Sequence, residues 1–239
     1  MFWFSKKHHL QDMNIRELTI SYIQYPAIIA YALIAIAGLL FLGMNNAFSW
    51  SLVVPVILIA ALYPLIWYLL HRYVLHSRFL YRFKSFAKVW KRIHYDHHRD
   101  PNDLRILFGA LYTTLPTVLA FSIPLGYVFA GFYGAVACTV SGILVTMFYE
   151  YCHCIQHLHY TPKSQFLRDM KRLHLLHHFR NEKGNYGITN FFWDRVFKTY
   201  YDKGSNVDKS ETVFNLGYTD SEISQYPWVA QLSEAQEER

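Results

Sequence analysis

The sequence predicts an all-α integral membrane protein in which four transmembrane helices form two hairpins that carry a helical cap on one side. Apolar residues make up 53% of the 239 residues and charged residues only 17%, against roughly 45–50% and about 25% in soluble domains. Two long stretches contain no charged residue, and most of the histidines lie close to the ends of these stretches. These observations together predict the fold class.

The first charge-free stretch lies between Glu17 and Arg72. A spanning helix needs about 20 predominantly apolar residues, so the stretch has room for two helices and a short turn. We predict these helices over residues 25–44 and 49–70, with the turn at Asn45.

The second charge-free stretch runs from Ile106 to Tyr149 and predicts helices over residues 106–126 and 132–152, joined near Gly131. A soluble all-α protein with buried core helices is the alternative, which two uninterrupted apolar runs of this length disfavour. A second hairpin that enters the membrane without crossing it remains open.

The basic residues predict the orientation in the membrane. Both hairpin turns carry no charge, whereas the first helix is preceded by basic residues and the segment between the hairpins is rich in lysine and arginine. The positive-inside rule therefore predicts that both termini and the central segment lie on the cytoplasmic side. This topology and anionic lipid headgroups account for the net charge of +6, so no nucleic acid partner is expected.

The chain divides into a cytoplasmic N-terminal arm (residues 1–24), a single membrane domain (25–200) and a polar C-terminal tail (201–239), in which Trp228 is a candidate docking residue. The three cysteines lie on or just after the fourth helix and predict no disulfide framework. Cys152 and Cys154 flank a histidine, and we favour buried thiols over metal ligands for them.

Eleven of the thirteen histidines fall in four short windows, which is the strongest signal in the chain. Ten of them form the motifs HRYVLH, HYDHH, HCIQH and HLLHH: His71 and His76; His94, His97 and His98; His153 and His157; and His174, His177 and His178. Residues three and four apart share a helix face, so each of the last three motifs points its imidazoles one way. His71 and His76, five apart, lie about 140° apart around an ideal helix. Two such hairpin units, packed together, bring ten imidazoles into one cluster beneath the membrane surface.

Ten neutral imidazoles require a cation, and imidazole suits zinc, copper, iron or nickel. One ion takes about three or four protein ligands, so the number predicts two ions close together, each with an open position. Asp96, Glu150 and Asp194 are candidate acids to offset the metal charge; for Asp96, a salt bridge to a neighbouring arginine is the simpler expectation. An oxidation at a metal pair fits this donor set best.

The four histidine motifs, in this order and after membrane hairpins, resemble the fatty acid hydroxylase / sterol desaturase superfamily of membrane di-iron oxygenases. The runs NYGIT at 185–189 and FWDRVF at 192–197 resemble the signature that follows the last motif of that superfamily. The run HHRDPNDLR at 97–105 is similar to the fatty acid 2-hydroxylase branch. The resemblance covers roughly residues 50–200.

The resemblance implies O2-dependent hydroxylation of a lipid acyl chain that enters from the bilayer, with the ten histidines as ligands of two iron ions that zinc can replace in purified protein. His159 falls outside the matched motif, and we expect it at the surface or behind the ligands. Trp193 and Asp194 are candidates to brace the last histidine helix, with plain packing an equal alternative. A separate electron-transfer protein is expected, because the family members that carry a fused haem cytochrome domain have it at the N-terminus, and only about 24 residues precede the first helix here.

Other functions remain open at this point. The histidine motifs serve both hydroxylation and desaturation, and a sterol or carotenoid oxidase of the same superfamily is the nearest alternative. A membrane metal transporter or sensor is a more distant alternative, because its ligands are expected at the bilayer midplane and these histidines lie at or beyond the helix ends.

Overall fold

The computed structural model describes residues 9–237, with side chains up to residue 235, and these residues contain no β-strand. The helices are α1 (Ile15–Gln24), α2 (Pro26–Met44), α3 (Val53–Leu70), α4 (Lys84–Trp90), α5 (Asp96–Arg99), α6 (Leu104–Leu107), α7 (Leu111–His157), α8 (Gln165–Phe179), α9 (Phe192–Val196), α10 (Asp220–Gln225) and α11 (Trp228–Glu237). Short 3-10 turns lie at Leu10–Asp12, Trp50–Leu52 and Gly204–Asn206.

Three segments are long and apolar enough to cross a membrane: Pro26–Met44, Trp50–Leu75 and Leu104–His157. The third has 54 residues, more than twice the length that one crossing requires. Helices α2 and α3 both pack along α7, so the three segments form one apolar bundle.

Helix α7 reverses direction at Ala130 and Gly131, where the backbone leaves the helical region. Gly131 has φ +60° and ψ −149°, a conformation that is essentially restricted to glycine. Ser122 Oγ and Thr139 Oγ1 lie 3.1 Å apart, although 17 residues of straight helix would span about 25 Å. The two halves of α7 therefore lie side by side, and the reversal occurs at the glycine where the sequence predicts a junction.

Helix α1 begins with a capping box, in which the Asn14 side chain accepts from the Glu17 amide and the Glu17 carboxylate accepts from the Asn14 amide. The Tyr22 hydroxyl donates to the carbonyl oxygen of Met147 at 2.5 Å. The last ten residues of the predicted N-terminal arm thus form a helix that packs against the second half of α7.

Two π-turns interrupt the helices next to histidine motifs. His71–Leu75 continues α3, and Lys91–Tyr95 connects α4 to α5. Neither turn is predictable from the sequence, because a single additional residue in a helix leaves the apolar pattern nearly unchanged.

The C-terminal region packs onto the segment between the membrane segments. Tyr81, Ala87 and Trp90 form a buried cluster with Tyr218 and Val229. Trp228, the predicted docking residue, donates its indole N–H to the carbonyl oxygen of Tyr81. The tail, expected to be polar apart from Trp228, therefore contributes to a second core on the histidine side of the bundle.

Candidate metal centre

All ten histidines of the four motifs meet in one cluster at the end of the apolar bundle. Nine of them form two groups, in each of which one donor atom per residue lies within 4.8 Å of the others. The first group consists of His97, His153, His157, His174 and His178, and the second of His71, His76, His98 and His177. The groups adjoin, since the rings of His98 and His178 stack with centroids 4.2 Å apart.

His94 lies beside the second group. Its ring centroid is 4.6 Å from that of His76, 4.7 Å from that of His98 and 4.9 Å from that of His71. With His94 included, the cluster comprises two sets of five imidazoles.

The π-turn at the end of α3 brings His71 and His76 together. The His76 amide donates to the carbonyl oxygen of His71 at 3.0 Å, and this five-residue spacing places the two side chains on nearly one face. Their Nε2 atoms lie 3.1 Å apart. The expected separation of 140° is therefore wrong, because it assumed an ideal α-helix.

Three histidines are oriented by backbone carbonyl groups that lie outside the cluster. His71 Nδ1 lies 2.7 Å from the Tyr186 carbonyl oxygen, and His177 Nδ1 lies 2.7 Å from that of Gly184. His98 Nδ1 lies 3.0 Å from the Val213 carbonyl oxygen. A carbonyl oxygen only accepts, so each Nδ1 donates and each Nε2 presents its lone pair to the cluster, an arrangement typical of metal-binding histidine.

Many of the imidazole nitrogens in the cluster are buried without a hydrogen-bond partner among the described residues. They are Nε2 of His94, His98, His153 and His177, Nδ1 of His157, His174 and His178, and both nitrogens of His97. A buried polar atom without a partner is costly, and a metal ion would compensate for it.

Burial also holds the cluster in the neutral form that binds metals. Burial lowers the pKa of His98 to about 3 and the pKa values of His94, His97 and His174 well below the ordinary value for histidine. Metal ligation requires the deprotonated ring. A nitrogen-only donor set that is buried and neutral therefore fits a pair of transition-metal ions.

Asp194 braces a loop that holds two of these histidines. Its carboxylate accepts from the amides of Tyr186 at 2.8 Å and Gly187 at 2.9 Å and from the Thr199 hydroxyl at 2.8 Å. Burial raises the pKa of this carboxyl to about 6, against the opposing effect of the three donors. Its direct contacts are with the loop whose carbonyl groups orient His71 and His177, so it reaches α8, which carries His177, through that loop.

The other two candidate acids, Asp96 and Glu150, have partners that are not histidines. Asp96 forms an ion pair with Lys91 at 2.6 Å; the expected partner was an arginine. Glu150 accepts from the Gly109 amide at 3.2 Å. Neither residue belongs to a histidine group, so both lie outside the nitrogen donor set.

The remaining sequence candidates also lie outside the two groups. Cys152 and Cys154 are buried free thiols, and neither belongs to a group. His159 is exposed. These positions agree with the expectation of buried thiols and of a histidine outside the motif.

A mostly apolar cavity of about 340 Å³ adjoins the cluster. Its lining includes His94, His97, His153 and His178 together with Trp67, Leu70, Thr117 and Tyr149 from α3 and α7. The cavity thus connects the imidazoles with the interior of the apolar bundle, which suits a hydrocarbon chain.

The C-terminal segment supplies a part of the site for which the sequence carried no signal. The buried Glu182 carboxylate accepts from the hydroxyls of Ser210 at 3.0 Å and Thr212 at 2.6 Å. These bonds hold the backbone at Val213, whose carbonyl oxygen accepts from His98. Carbonyl partners are backbone atoms, so no residue type in the sequence identifies them.

The chain is similar to known proteins. The sequence model of the fatty acid hydroxylase family matches residues 56–199, more than half of the chain. The ceramide very long chain fatty acid hydroxylase of Saccharomyces cerevisiae is 29% identical over 179 residues, which cover 72% of this chain and 44% of that protein. The dihydroceramide fatty acyl 2-hydroxylase FAH2 of Arabidopsis thaliana is 36% identical over 59% of this chain and 60% of its own length.

One solved structure is also similar. It is described as full-length scs7p with only the hydroxylase domain visible, and it superimposes with a TM-score of 0.61 at 25% identity, covering 80% of this chain and 69% of that one. The chain spans less than two thirds of the length of both sequence relatives.

Proposed function

The chain belongs to the fatty acid hydroxylase family, and on that premise we propose that it hydroxylates the acyl chain of a membrane lipid, of the fatty acid or ceramide type, with O2 as co-substrate. The observation that carries this proposal is the pair of buried imidazole groups at the end of a cavity open to the apolar bundle. Relatives whose names specify ceramide or dihydroceramide acyl chains support the substrate class.

The ten histidines of the four motifs are, in this proposal, the ligands of two iron ions. The two groups and the adjoining His94 support this assignment, as do the nitrogens that are buried without partners. When bound, the iron pair supplies the redox chemistry that activates O2. The carbonyl groups of Gly184, Tyr186 and Val213 keep the ligand rings in one tautomer and orientation.

The cavity residues position the acyl chain and exclude water. Trp67, Leu70 and Tyr149 provide an apolar surface for the methylene groups, and His94, His97 and His153 face the end where the reacting carbon lies. Binding the chain in a fixed geometry lowers the entropic part of the barrier. The histidine end of the cavity therefore determines which carbon is oxidised.

Hydroxylation of a C–H bond by O2 consumes two electrons and two protons and releases one water. We propose that a separate redox protein delivers these electrons, since the acyl chain does not supply them. The chain carries a net charge of +6, which favours encounter with an acidic partner.

For the membrane arrangement, we propose four crossings in two hairpins, with the histidine cluster on the cytoplasmic side. The contact between Ser122 and Thr139 supports two antiparallel crossings within the third apolar segment. The lysines and arginines around the cluster, together with the uncharged turns at Asn45 and Gly131, support the sidedness through the positive-inside rule.

The test is lipid mass spectrometry after expression in a host without the activity, with and without O2, comparing His177→Ala with His159→Ala. We expect His177→Ala to lower the yield of hydroxylated acyl chains by on the order of 100-fold or more, since even indirect metal partners contribute 10–100-fold. We expect His159→Ala to behave like wild type, because its ring is exposed and outside both groups.

The same measurement separates the alternatives. Hydroxylated acyl chains that depend on O2 and His177 support the proposal, and unsaturated acyl chains indicate desaturation instead. An unchanged acyl profile beside altered sterols or carotenoids contradicts the substrate class.

A further inference from the structure

An exposed aromatic patch lies on the segment that follows the second apolar segment. Phe79, Phe83 and Phe86 are 49%, 48% and 52% exposed. Phe83 and Phe86 contact each other with ring centroids 6.3 Å apart, and the Arg82 guanidinium lies over the rings of Phe79 at 5.4 Å and Phe83 at 4.7 Å. The three rings therefore form one continuous surface, which we call the phenylalanine patch.

The other sides of the same segment are already occupied. Tyr81 and Trp90 are buried in the C-terminal core, and Leu80 and Val89 line the cavity. Val89 lies three residues after Phe86 on α4, and residues three apart share a helix face, so the phenylalanine patch borders the cavity. Exposed apolar surface of this kind marks an interaction site.

The position of this segment beside the ends of the apolar segments indicates what covers the phenylalanine patch. The segment directly follows the apolar segment Trp50–Leu75. Leu80 lines the same cavity as Leu75 at the end of that segment and Leu107 at the start of the next. The segment that carries the phenylalanine patch therefore adjoins the ends of two apolar segments at the cavity.

Basic side chains accompany the aromatic rings. Arg82, Lys84 and Lys88 are exposed on the same segment. A combination of phenylalanine on one side and lysine or arginine around it is typical of elements that lie in the membrane interface, where the cations meet anionic headgroups. Long basic side chains reach the headgroups while the rings stay among acyl chains.

We infer that the phenylalanine patch inserts into the lipid leaflet on the histidine side, where it borders the cavity. The partner of this surface is the bilayer itself. A second consequence, entry of the acyl chain from that leaflet beside the patch, rests on the proposed function, whereas the insertion does not.

The test is spin-label accessibility in vesicles of phosphatidylcholine and phosphatidylglycerol. A nitroxide on Phe83→Cys is compared with labels on Phe121→Cys in α7 and on Phe214→Cys in the C-terminal region, which are exposed to 43% and 44% in the wild type. The three native cysteines are buried, and labelled wild type measures their background. Power-saturation measurements with O2, which partitions into lipid, and with a water-soluble nickel complex give the ratio of the two accessibilities.

We expect a ratio of O2 to nickel accessibility at Phe83→Cys that is several-fold above that at Phe214→Cys and approaches that at Phe121→Cys. A ratio equal to that of Phe214→Cys contradicts the insertion. A label shielded from both reagents also contradicts it, because that result indicates a protein contact. If instead Phe121→Cys is exposed to nickel, the proposed membrane arrangement fails as well.

A second measurement addresses entry of the substrate. We expect Phe83→Ser to lower turnover several-fold when the lipid substrate is embedded in vesicles and to leave it unchanged when the substrate is dispersed in detergent. Phe166→Ser, at a position that is 63% exposed, should be unaffected in both media. Equal turnover of Phe83→Ser and Phe166→Ser in vesicles contradicts entry beside the patch. Loss of all activity in both media indicates damage to the catalytic centre, and the spin-label result then decides the insertion alone.

Discussion

At the scale of single residues, Asp194 acts on the histidine cluster through a loop. Its carboxylate binds the amides of Tyr186 and Gly187, and the carbonyl group of Tyr186 in turn orients His71. One buried acid thus connects a loop after α8 with a histidine at the end of α3.

We expect Asp194→Asn to destabilise the protein by about 1–3 kcal/mol, because the amide nitrogen of asparagine cannot accept from the donors that face it. Metal content per chain should fall with it, since His71 loses its fixed partner. Elemental analysis and thermal unfolding of purified protein measure both effects. Asp208→Asn, at an exposed position, is the control, and an equal effect of the two substitutions would contradict the bracing role.

The histidines could be identified from the sequence, because side chains three and four apart on a helix fall together wherever the helix forms. The backbone carbonyl groups that orient these histidines could not be identified from the sequence. The partners of His98 and His177 are carbonyl oxygens of Val213 and Gly184, and every residue carries such an atom. Only the path of the backbone determines which carbonyl oxygen lies next to each histidine.

At the scale of the elements, close backbone contact determines how the two halves of α7 pack. A Cβ atom on Gly134 would overlap the carbonyl oxygen of Gly126, whereas one on Gly43 would lie 3.7 Å from the nearest atom, in the Phe48 ring. The two glycines therefore differ in what an alanine would meet, although both lie in apolar helices.

We expect opposite effects of the same substitution at these glycines. Gly134→Ala should lower the free energy of unfolding by about 1–3 kcal/mol through overpacking, and Gly43→Ala should raise it by up to about 1 kcal/mol through helix propensity. Thermal unfolding in detergent measures both. If Gly134→Ala is as stable as wild type, the close approach of the two half-helices is contradicted.

The apolar elements were predictable because lipid excludes charge over the length of a crossing, and the reversal was predictable because Gly131 tolerates a conformation that other residues avoid. The π-turns were not predictable from the sequence. The π-turn that brings His71 and His76 to one face contains only one more residue than a turn of α-helix, and this change is too small to alter the apolar pattern.

At the scale of the whole molecule, the C-terminal segment completes a site whose histidines all come earlier in the chain. Glu182 holds Ser210 and Thr212, and the next residue, Val213, contacts His98. From the sequence, this segment appears only as a polar tail, since its contribution consists of hydroxyl and carbonyl groups with no distinguishing spacing.

We expect Glu182→Ala to increase amide hydrogen exchange over residues 208–216, because the loss of a buried acceptor for two hydroxyls lowers the local opening free energy by about 1–3 kcal/mol. Binding of metal in the His98 group should weaken with it. Glu211→Ala removes an exposed carboxylate from the same segment and should exchange like wild type. Unchanged exchange in Glu182→Ala would show that the segment is held by other contacts.

The contact between His98 and Val213 also imposes an order on biosynthesis. Translation produces all ten imidazoles before Val213, so a nascent chain already inserted in the bilayer displays its histidines while one of their carbonyl partners has not yet been made. An ion bound at that stage would meet an incompletely oriented set of rings. The orientation of His98 is completed only after Val213 has been made.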